Sequence, residues 1–407
     1  MLKTEDIRDI YRAAGGARGF CTVMQDLLEG KDQQGKSVPR LAPGDFSLRS
    51  LWEGLVGPCE ETLPGYTRPG RSNYLLLQEA VDSTAFPSAT GVLIAAKVIE
   101  AYNATPMIGD QLVTTMSSRL KQERIVGMTS LEGPTEVPEA MPYQESGFQE
   151  KYVTTDTAKK GRILEVTEEA IFFDQTGQIL MRAQRLGEMT AEERELTILA
   201  GVVDVGSAAA GYKDIYRPSG SASTLYATGN SNYQSTVTAL VDWTDIDEVL
   251  QYAANNLKDD RAIVAERLPI TFNPKVLLTA RKKAATAARI LAATTVRVGN
   301  TATTAGVQEE SGAIVQQIAP GLQALTSPLL DFLAGVTNSR YSQADDWFLG
   351  DFKRQFIWQE IWPLQTLRSR QDDEAAFRRD IVARFKVRYY GGIAAIDTKY
   401  VIKVKGA

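Results

Sequence analysis

Glycine and proline interrupt the first 85 residues so often that this part of the chain leaves little room for long helices or strands. After a short helical pattern over Thr4–Ala13, the interruptions fall at Gly15, Gly16, Pro39, Pro43, Gly44, Pro58, Pro64, Gly65, Pro69 and Gly70. Glycine and proline at such intervals favour turns over regular elements. The sequence therefore predicts an extended arm over residues 1–85 that becomes ordered by packing on another part of the protein.

Residues 148–166 contain two segments rich in β-forming residues. Between them lie residues 158–161, a polar segment that ends in the glycine that tight turns often need. The pattern predicts a two-stranded hairpin with this segment as its turn. Its limbs carry too few large apolar side chains for a core of their own, so we expect the hairpin to lie on a neighbour.

Residues 172–186 place apolar and small side chains on one helical face, which predicts a helix interrupted at Gly187. Thr190 and Glu193 then form a capping-box pattern, which predicts a second helix that reaches residue 200. The apolar stretch 91–102 fits a short helix and a pair of strands equally well.

Beyond residue 240 the elements alternate. Thr244 or Asp245 can cap a helix that runs to Leu257, and strand-like segments follow over residues 268–279. An alanine-rich helix with basic residues comes next, which indicates a mixed α/β unit. Residues 384–404 alternate with a period of two on both sides of a Gly-Gly pair, which predicts two terminal strands around a glycine turn.

Composition excludes several kinds of site. The 407 residues contain no histidine, which excludes imidazole bases, Ser-His-Asp triads and histidine metal sites. Cys21 and Cys59 are too few for a structural zinc site or a disulfide framework, and we expect two reduced thiols. No apolar run approaches the ~20 residues of a membrane span, and the acidic start of the chain does not resemble a signal peptide. We therefore expect folding in a cytoplasm, with no catalytic, cofactor-binding or metal-binding residues.

Three segments carry a resemblance to a known family: Val166 to Asp174, Ser327-Pro328-Leu329, and the terminal stretch from Phe377 to Lys403 with its Gly-Gly pair and Asp397. In their order along the chain they resemble the major capsid proteins of tailed bacteriophages, whose fold is named for phage Hong Kong 97. The resemblance implies an α+β fold with four parts. These are an N-terminal arm (1–85), an extended hairpin loop (132–166), a peripheral domain with a spine helix (86–131, 167–240 and 375–407) and an axial α/β domain (241–374).

The resemblance also implies a function. Copies of the chain would assemble as hexamers and pentamers into the icosahedral shell that encloses double-stranded DNA, in a virion built in the bacterial host cytoplasm. Scaffolding, portal and decoration proteins would be partners, and the packaged DNA would be contacted without sequence specificity. Residues 1–85 are too rich in glycine and proline for the helical scaffolding segment of some members, so we expect a separate scaffolding protein or none.

Charge distribution suggests where copies meet. The chain has 45 basic and 50 acidic residues, but residues 132–195 hold 14 acids against 7 bases, and residues 375–407 hold 8 bases against 2 acids. We hypothesise that the acidic segment of one subunit contacts the basic strands of another, which would make assembly depend on salt. The candidate interface residues are Glu150, Lys151, Lys159, Lys160, Arg162, Glu168, Glu169, Arg378, Arg379, Arg384, Lys386 and Arg388.

Alternatives remain at several of these positions. Some family members crosslink a loop lysine to a neighbour, but at the predicted hairpin tip we expect Lys159 and Lys160 to be solvated turn residues. The terminal strands or the basic residues 281–289 could instead face DNA. Acid clusters at residues 168–174 and 345–351 fit helix starts and turns better than a calcium loop. For the whole chain, the alternatives are an encapsulin-type nanocompartment shell and, from another class, a cytosolic enzyme that works without histidine.

Overall fold

The computed structural model describes residues 4–31, 37–62, 85–128, 137, 139, 150–236, 238–258, 270–292, 295–298, 308–311, 315, 318–368 and 380–406. The α-helices are α1 (Thr4–Ala13), α2 (Ala17–Glu29), α3 (Leu48–Leu55), α4 (Cys59–Thr62), α5 (Ala85–Ala104), α6 (Gly109–Leu112), α7 (Glu168–Phe172), α8 (Thr176–Val202), α9 (Trp243–Asn256), α10 (Ala284–Ala292), α11 (Pro328–Ala334) and α12 (Phe352–Gln355). The strands are β1 (Thr114–Ser117), β2 (Arg124–Met128), β3 (Glu150–Thr154), β4 (Ala158–Thr167), β5 (Tyr233–Gln234), β6 (Val276–Ala280), β7 (Thr295–Val298), β8 (Gln308–Ser311), β9 (Gln323–Ser327), β10 (Trp347–Gly350), β11 (Phe356–Arg368), β12 (Ile381–Ala395) and β13 (Val401–Val404). Short 3₁₀ turns lie at Pro43–Asp45, Thr228–Asn230 and Arg281–Lys283.

The chain folds into two compact units. Unit 1 contains Met1–Pro106, Lys159–Glu193 and Trp362–Tyr390, and unit 2 contains Met107–Ala158, Arg194–Ile361 and Gly391–Ala407. The mixture of helices and sheets confirms the predicted α+β class. Residues 194–240 and the terminal strand β13 fall in the same unit as residues 241–361.

Unit 1 has one hydrophobic core, to which the N-terminal helices contribute. α1 buries Ile7 and Tyr11, and α2 buries Phe20, Met24 and Leu28. The helix predicted over Thr4–Ala13 is confirmed, but the extended conformation predicted for the rest of residues 1–85 is wrong in its described part. The apolar side chains recur at helical spacing between the glycines and prolines. The glycines and prolines therefore separate short helices but do not prevent them from forming.

Helix α3 is tied to the start of α8. Ser47, which caps α3, donates from Oγ to Oδ1 of Asp174 at 2.8 Å, and the backbone N–H of Leu48 donates to Oγ1 of Thr176 at 2.8 Å. Asp174 has a positive φ of 47°, which suits the sharp bend between α7 and α8. The N-terminal segment is thus held to the longest helix of the protein by hydrogen bonds as well as by apolar contacts.

Helix α8 runs unbroken through the position where we predicted an interruption. A Cβ atom on Gly187 would lie 2.5 Å from the carbonyl oxygen of Val98 and 3.0 Å from Cβ of Ala101, so this glycine allows α5 and α8 to touch. Thr190 does not cap a second helix, because its hydroxyl donates to the carbonyl of Leu186 within the same helix at 2.7 Å. The prediction of two helices is therefore wrong, and the open choice for residues 91–102 is resolved as helix α5.

The predicted hairpin over residues 148–166 is also wrong in its pairing. β3 pairs antiparallel with β2, from Arg124 opposite Thr154 to Met128 opposite Glu150. Residues 158–161 belong to strand β4, which lies at the edge of a sheet with the order β1-β11-β12-β4. A hairpin with limbs β2 and β3 is present, but it begins earlier in the chain than the sequence pattern indicates, and its connecting segment lies largely outside the described residues.

Unit 2 contains a five-stranded sheet with the order β5-β13-β10-β6-β9. β10 pairs antiparallel with β13, where Trp347 lies opposite Val404, and with β6, where Trp347 lies opposite Thr279. β6 runs parallel to β9. α9 and α10 pack on its apolar residues. At the end of β9, Ser327 caps α11 and Pro328 occupies its first position, which confirms the strand end expected at Ser327-Pro328-Leu329.

Two further local predictions need correction. The N-cap residue of α9 is Asp242, and not Thr244 or Asp245. The carboxylate of Asp245 accepts the backbone N–H of Asp242 at 2.8 Å, which completes a capping box. Gly391 and Gly392 lie inside β12 and do not form a turn. A Cβ atom on Gly391 would lie 2.7 Å from the Trp358 ring, and one on Gly392 would lie 2.5 Å from the carbonyl oxygen of Asp156. Both glycines therefore allow neighbouring segments to pack closely against β12.

Candidate assembly surface

Strands β4 and β12 carry six of the twelve candidate interface residues and are neighbours in the four-stranded sheet. A Cβ atom on Gly161 would lie 2.5 Å from the carbonyl oxygen of Val387, and the N–H of Glu168 donates to the carbonyl of Asp380 at 3.0 Å. These two contacts show that the strands run antiparallel. The structure therefore brings together residues that are more than 200 positions apart in the chain.

Strand β12 alternates between a core face and an outer face. Ala383, Phe385 and Val387 are buried in the core of unit 1, so the intervening Arg384 and Lys386 are on the opposite face. Arg388 is on that outer face too. Strand alternation thus gathers three cations on one side of the sheet, as the period-two pattern of the terminal stretch predicts.

A tryptophan lies among the cations of the outer face. The Trp362 ring centroid is 4.3 Å from Cζ of Arg388 and 5.5 Å from Nζ of Lys159, and the ring meets Tyr390 edge to face at 5.4 Å. Nε of Arg384 lies 3.2 Å from Oε1 of Glu165. We call Lys159, Arg384, Lys386 and Arg388 the basic strip.

The remaining candidates on β4 do not belong to this strip. Lys160 bonds to Glu193 of α8, with 2.5 Å between Nζ and Oε1, so it is on the face opposite to Lys159. Arg162 is exposed and shares that face by strand alternation. Because residues 158–161 form part of a strand, the expectation that Lys159 and Lys160 lie at a hairpin tip is wrong.

The acidic candidates follow β4 directly. Glu168 and Glu169 form the first turn of α7, where Thr167 caps the helix by accepting the N–H of Ala170. Glu169 is exposed. Acids at this position interact favourably with the partial positive charge of a helix start.

Four candidates lie elsewhere. Glu150 and Lys151 belong to β3 in unit 2. Arg378 and Arg379 lie outside the described residues. The acidic and basic segments also pair within one chain, at Arg384 and Glu165, so part of the complementarity seen in the sequence is internal to the subunit.

Sequence reasoning missed a group of buried charges in unit 2. Nη1 of Arg340 lies 3.0 Å from Asp204 and 2.8 Å from Asp214, and Lys403 pairs with Asp346. Burial raises the pKa of Asp204 above its usual range, and the nearby Arg340 offsets part of this effect. Lys403 belongs to the basic terminal stretch by sequence, yet it is buried, and only its strand pattern of consecutive apolar neighbours could have indicated this.

The other basic and acidic clusters are largely paired with each other. Lys282 lies 2.6 Å from Asp345, and Lys275 lies 2.5 Å from Asp351. Asp345, Asp346 and Asp351 therefore face three different lysines and do not converge on one point. This pairing also leaves less free positive charge in residues 281–289 for contact with DNA.

Within the described ranges no group of histidine, cysteine or acidic side chains is arranged to hold a metal ion. In the same ranges no helix combines the length and apolarity that a membrane crossing requires. Burial raises the pKa of the Cys59 thiol to about 12, so this buried thiol stays protonated and weakly nucleophilic at neutral pH.

Comparison with known proteins gives one family. A family model described as phage capsid protein matches residues 150–404. No curated protein matches the chain. Among solved structures, a chain from Mycobacterium phage Ogopogo is 14% identical with a TM-score of 0.46, and the match covers 74% of this chain and 92% of that chain. A chain from Gordonia phage Cozz is 15% identical with a TM-score of 0.45, with 75% and 88% covered. The capsid of a native GTA particle is 11% identical with a TM-score of 0.44, with 73% and 89% covered.

Proposed function

This chain belongs to the phage capsid protein family and is a major capsid protein, a structural protein of the virion shell, and on that premise we propose a surface through which its copies assemble. The family is one of structural proteins and not of enzymes, and the match does not favour a nanocompartment shell. The proposed units are hexamers and pentamers that close into an icosahedral shell around double-stranded DNA. Unit 1 would correspond to the peripheral domain, and unit 2 to the axial domain together with the hairpin of β2 and β3.

Membership of the capsid protein family also suggests further partners for this subunit. We propose that scaffolding, portal and decoration proteins join the shell, that assembly occurs in the bacterial host cytoplasm, and that packaged DNA is contacted through its phosphates without sequence specificity. The pairing of Lys282 and Lys283 with Asp345 makes residues 281–289 a weak candidate for this contact.

The observation that carries the assembly proposal is the outer face of the sheet in unit 1. Cations and aromatic rings are interleaved there, and Ile163, on the same face of β4, is 61% exposed. Arginine and aromatic side chains are enriched at protein interfaces, and an exposed apolar side chain among them favours burial against a partner. We propose that a second copy covers this face.

The partner residues we propose on the second copy are Glu168 and Glu169. They are the acids of the candidate set that stand at a helix start, and Glu169 is exposed. Contact between these acids and Lys386 of the basic strip would be weakened by salt, because partly exposed ion pairs are screened.

A charge exchange tests this pairing. K386E should leave the subunit folded but lower the yield of shells, since it places a negative charge opposite the acids of the neighbour. Combining K386E with E169K should restore the yield. Shell yield is measured by sedimentation and electron microscopy at low and at high salt, with K31E, an exposed lysine of unit 1 outside the strip, as the matched control.

Equal shell yields for the wild type, K386E and K31E would refute the proposed surface while leaving the family assignment intact. A loss in K386E that E169K does not rescue would refute the partner residues. Wild-type yields that do not change with salt would count against an electrostatic contact of any kind.

A further inference from the structure

Lys403 and Asp346 form a buried ion pair inside unit 2. Nζ of Lys403 lies 3.2 Å from Oδ2 of Asp346, and each side chain is 6% exposed. Lys403 belongs to β13, the last strand of the chain, and Asp346 directly precedes β10, to which β13 is paired. A bond between these side chains would therefore join the C-terminal strand to the centre of the five-stranded sheet.

Other close lysine–carboxylate pairs have a different environment. The lysines of Lys275–Asp351 and Lys282–Asp345 are 63% and 61% exposed, so water surrounds their ammonium groups. Full charges are stable in water and costly in a protein interior. Burial therefore distinguishes the pair of Lys403 from pairs with shorter distances.

Aromatic rings enclose the amine of Lys403. Its Nζ lies 5.6 Å from the Tyr341 ring, 5.7 Å from the Tyr233 ring and 6.0 Å from the Phe348 ring. Tyr341 and Phe348 are themselves fully buried. Both side chains of the pair are largely removed from water, and a neutral amide would avoid the desolvation cost of two buried charges.

Two backbone groups orient the reacting atoms. The N–H of Gly406 donates to Oδ1 of Asp346 at 2.9 Å, and the carbonyl of Arg340 accepts a hydrogen from Nζ of Lys403 at 3.0 Å. A donor on Oδ1 would stabilise the negative charge that develops there when an amine adds to the carboxyl carbon. Oδ2, the oxygen nearer to the amine, is then the one that leaves.

We propose that Lys403 and Asp346 condense to an isopeptide bond within the subunit. One ammonium proton of the lysine first passes to Oδ2 of the aspartate, and the neutral amine then attacks Cγ. The Nζ–Cγ bond forms and the Cγ–Oδ2 bond breaks. Two of the three ammonium protons pass to Oδ2, which leaves as water, and the third stays on the amide nitrogen. No oxidant or co-reactant is needed, and the fixed proximity of the two groups replaces an enzyme.

The bond would fasten β13 to the segment that leads into β10. β13 lies between β5 and β10, and without a crosslink only non-covalent contacts hold it: hydrogen bonds, apolar contacts and the ion pair of Lys403. A covalent link from Asp346 to Lys403 closes a loop that contains β11 and β12, which lowers the entropy of the unfolded chain.

Mass spectrometry of the denatured full-length protein tests the proposal. The expected mass is lower than the sequence mass by one water molecule, and fragmentation should yield a branched peptide that joins the segments around residues 346 and 403. An unmodified mass in both fresh subunits and aged particles would overturn the proposal, because the pair would then be an ion pair only.

Two variants show whether the pair of Lys403 and Asp346 is the source of the lost water molecule. K403R keeps the positive charge but has no nucleophilic amine, so its mass should equal its own sequence mass. K275R, at an exposed pair, should still lose one water. Loss of water in K403R, or its disappearance in K275R, would assign the bond to other residues. D346N supplies a second readout, since it would release ammonia in place of water.

Discussion

At the scale of single residues, Glu195 is a buried carboxylate with a structural task. Its two oxygens accept the backbone N–H groups of Ile108 and Gly109, at 2.9 to 3.1 Å, and so hold the turn that leads into β1. Burial raises the pKa of Glu195, and the two backbone hydrogen bonds offset part of that rise. The charged form is therefore disfavoured in the folded state relative to the unfolded chain.

This shift predicts a pH dependence with a definite sign. Because the folded-state pKa is raised, the contribution of Glu195 to stability is complete below its ordinary pKa and is lost as pH rises through the raised value. The unfolding free energy of the wild type should therefore fall relative to that of E195Q as pH rises from about 4 to about 7. Denaturant unfolding of unassembled subunits measures this difference.

The control for this measurement is the nearby exposed Glu192. The unfolding free energy of E192Q is measured over the same pH range. A difference between the wild type and E195Q that does not change with pH would show that the buried carboxylate is not linked to folding.

The sequence alone predicts only part of where the charged side chains lie in the fold. The period of two in residues 384–388 correctly places three cations on one face of β12, because strand alternation is a local property. Lys403 also belongs to the basic terminal stretch, but it is buried. Its burial depends on Asp346 and on three aromatic rings from distant segments, and the only local indication of it is the apolar pattern of its neighbours in β13.

At the scale of elements, the contact between α5 and α8 depends on Gly187. G187A should lower the unfolding free energy by about 1–3 kcal/mol, since the added methyl would overlap the backbone of α5 at Val98. Equilibrium denaturation checks this value.

Gly177 is the matched control in the same helix, because no atom outside the neighbouring turns of its own helix lies within 4 Å of the position of its missing Cβ. G177A should leave stability unchanged or raise it by up to about 1 kcal/mol. Equal effects of the two substitutions would mean that helix propensity, and not the close contact, decides the role of Gly187.

Elements could be predicted well where their signal is local and poorly where it is not. α1 and the capped start of α11 at Ser327 are correct because capping and helical spacing are properties of neighbouring residues. The pairing of β3 is wrong because its partner, β2, lies more than 20 residues upstream and has no turn signal next to it. The predicted helix interruption at Gly187 and the predicted turn at Gly391 are both wrong, because each glycine instead allows neighbouring segments to approach closely.

At the scale of the whole molecule, the order of segments was more informative than any single motif. It indicated the phage capsid family, and the match over residues 150–404 confirms this. The N-terminal segment departs from the expected arm, because its helices share the core of unit 1. Removal of residues 4–29 during maturation would uncover that core, so we expect the mature subunit to retain them.

The central claim is that copies of this chain build a closed shell. Electron microscopy of the purified, recombinantly expressed protein tests it most directly, at ionic strengths on both sides of physiological. We predict closed particles of uniform diameter with icosahedral symmetry, whose yield changes with salt. A protein that stays monomeric under all of these conditions, with no particle of regular size, would contradict the account.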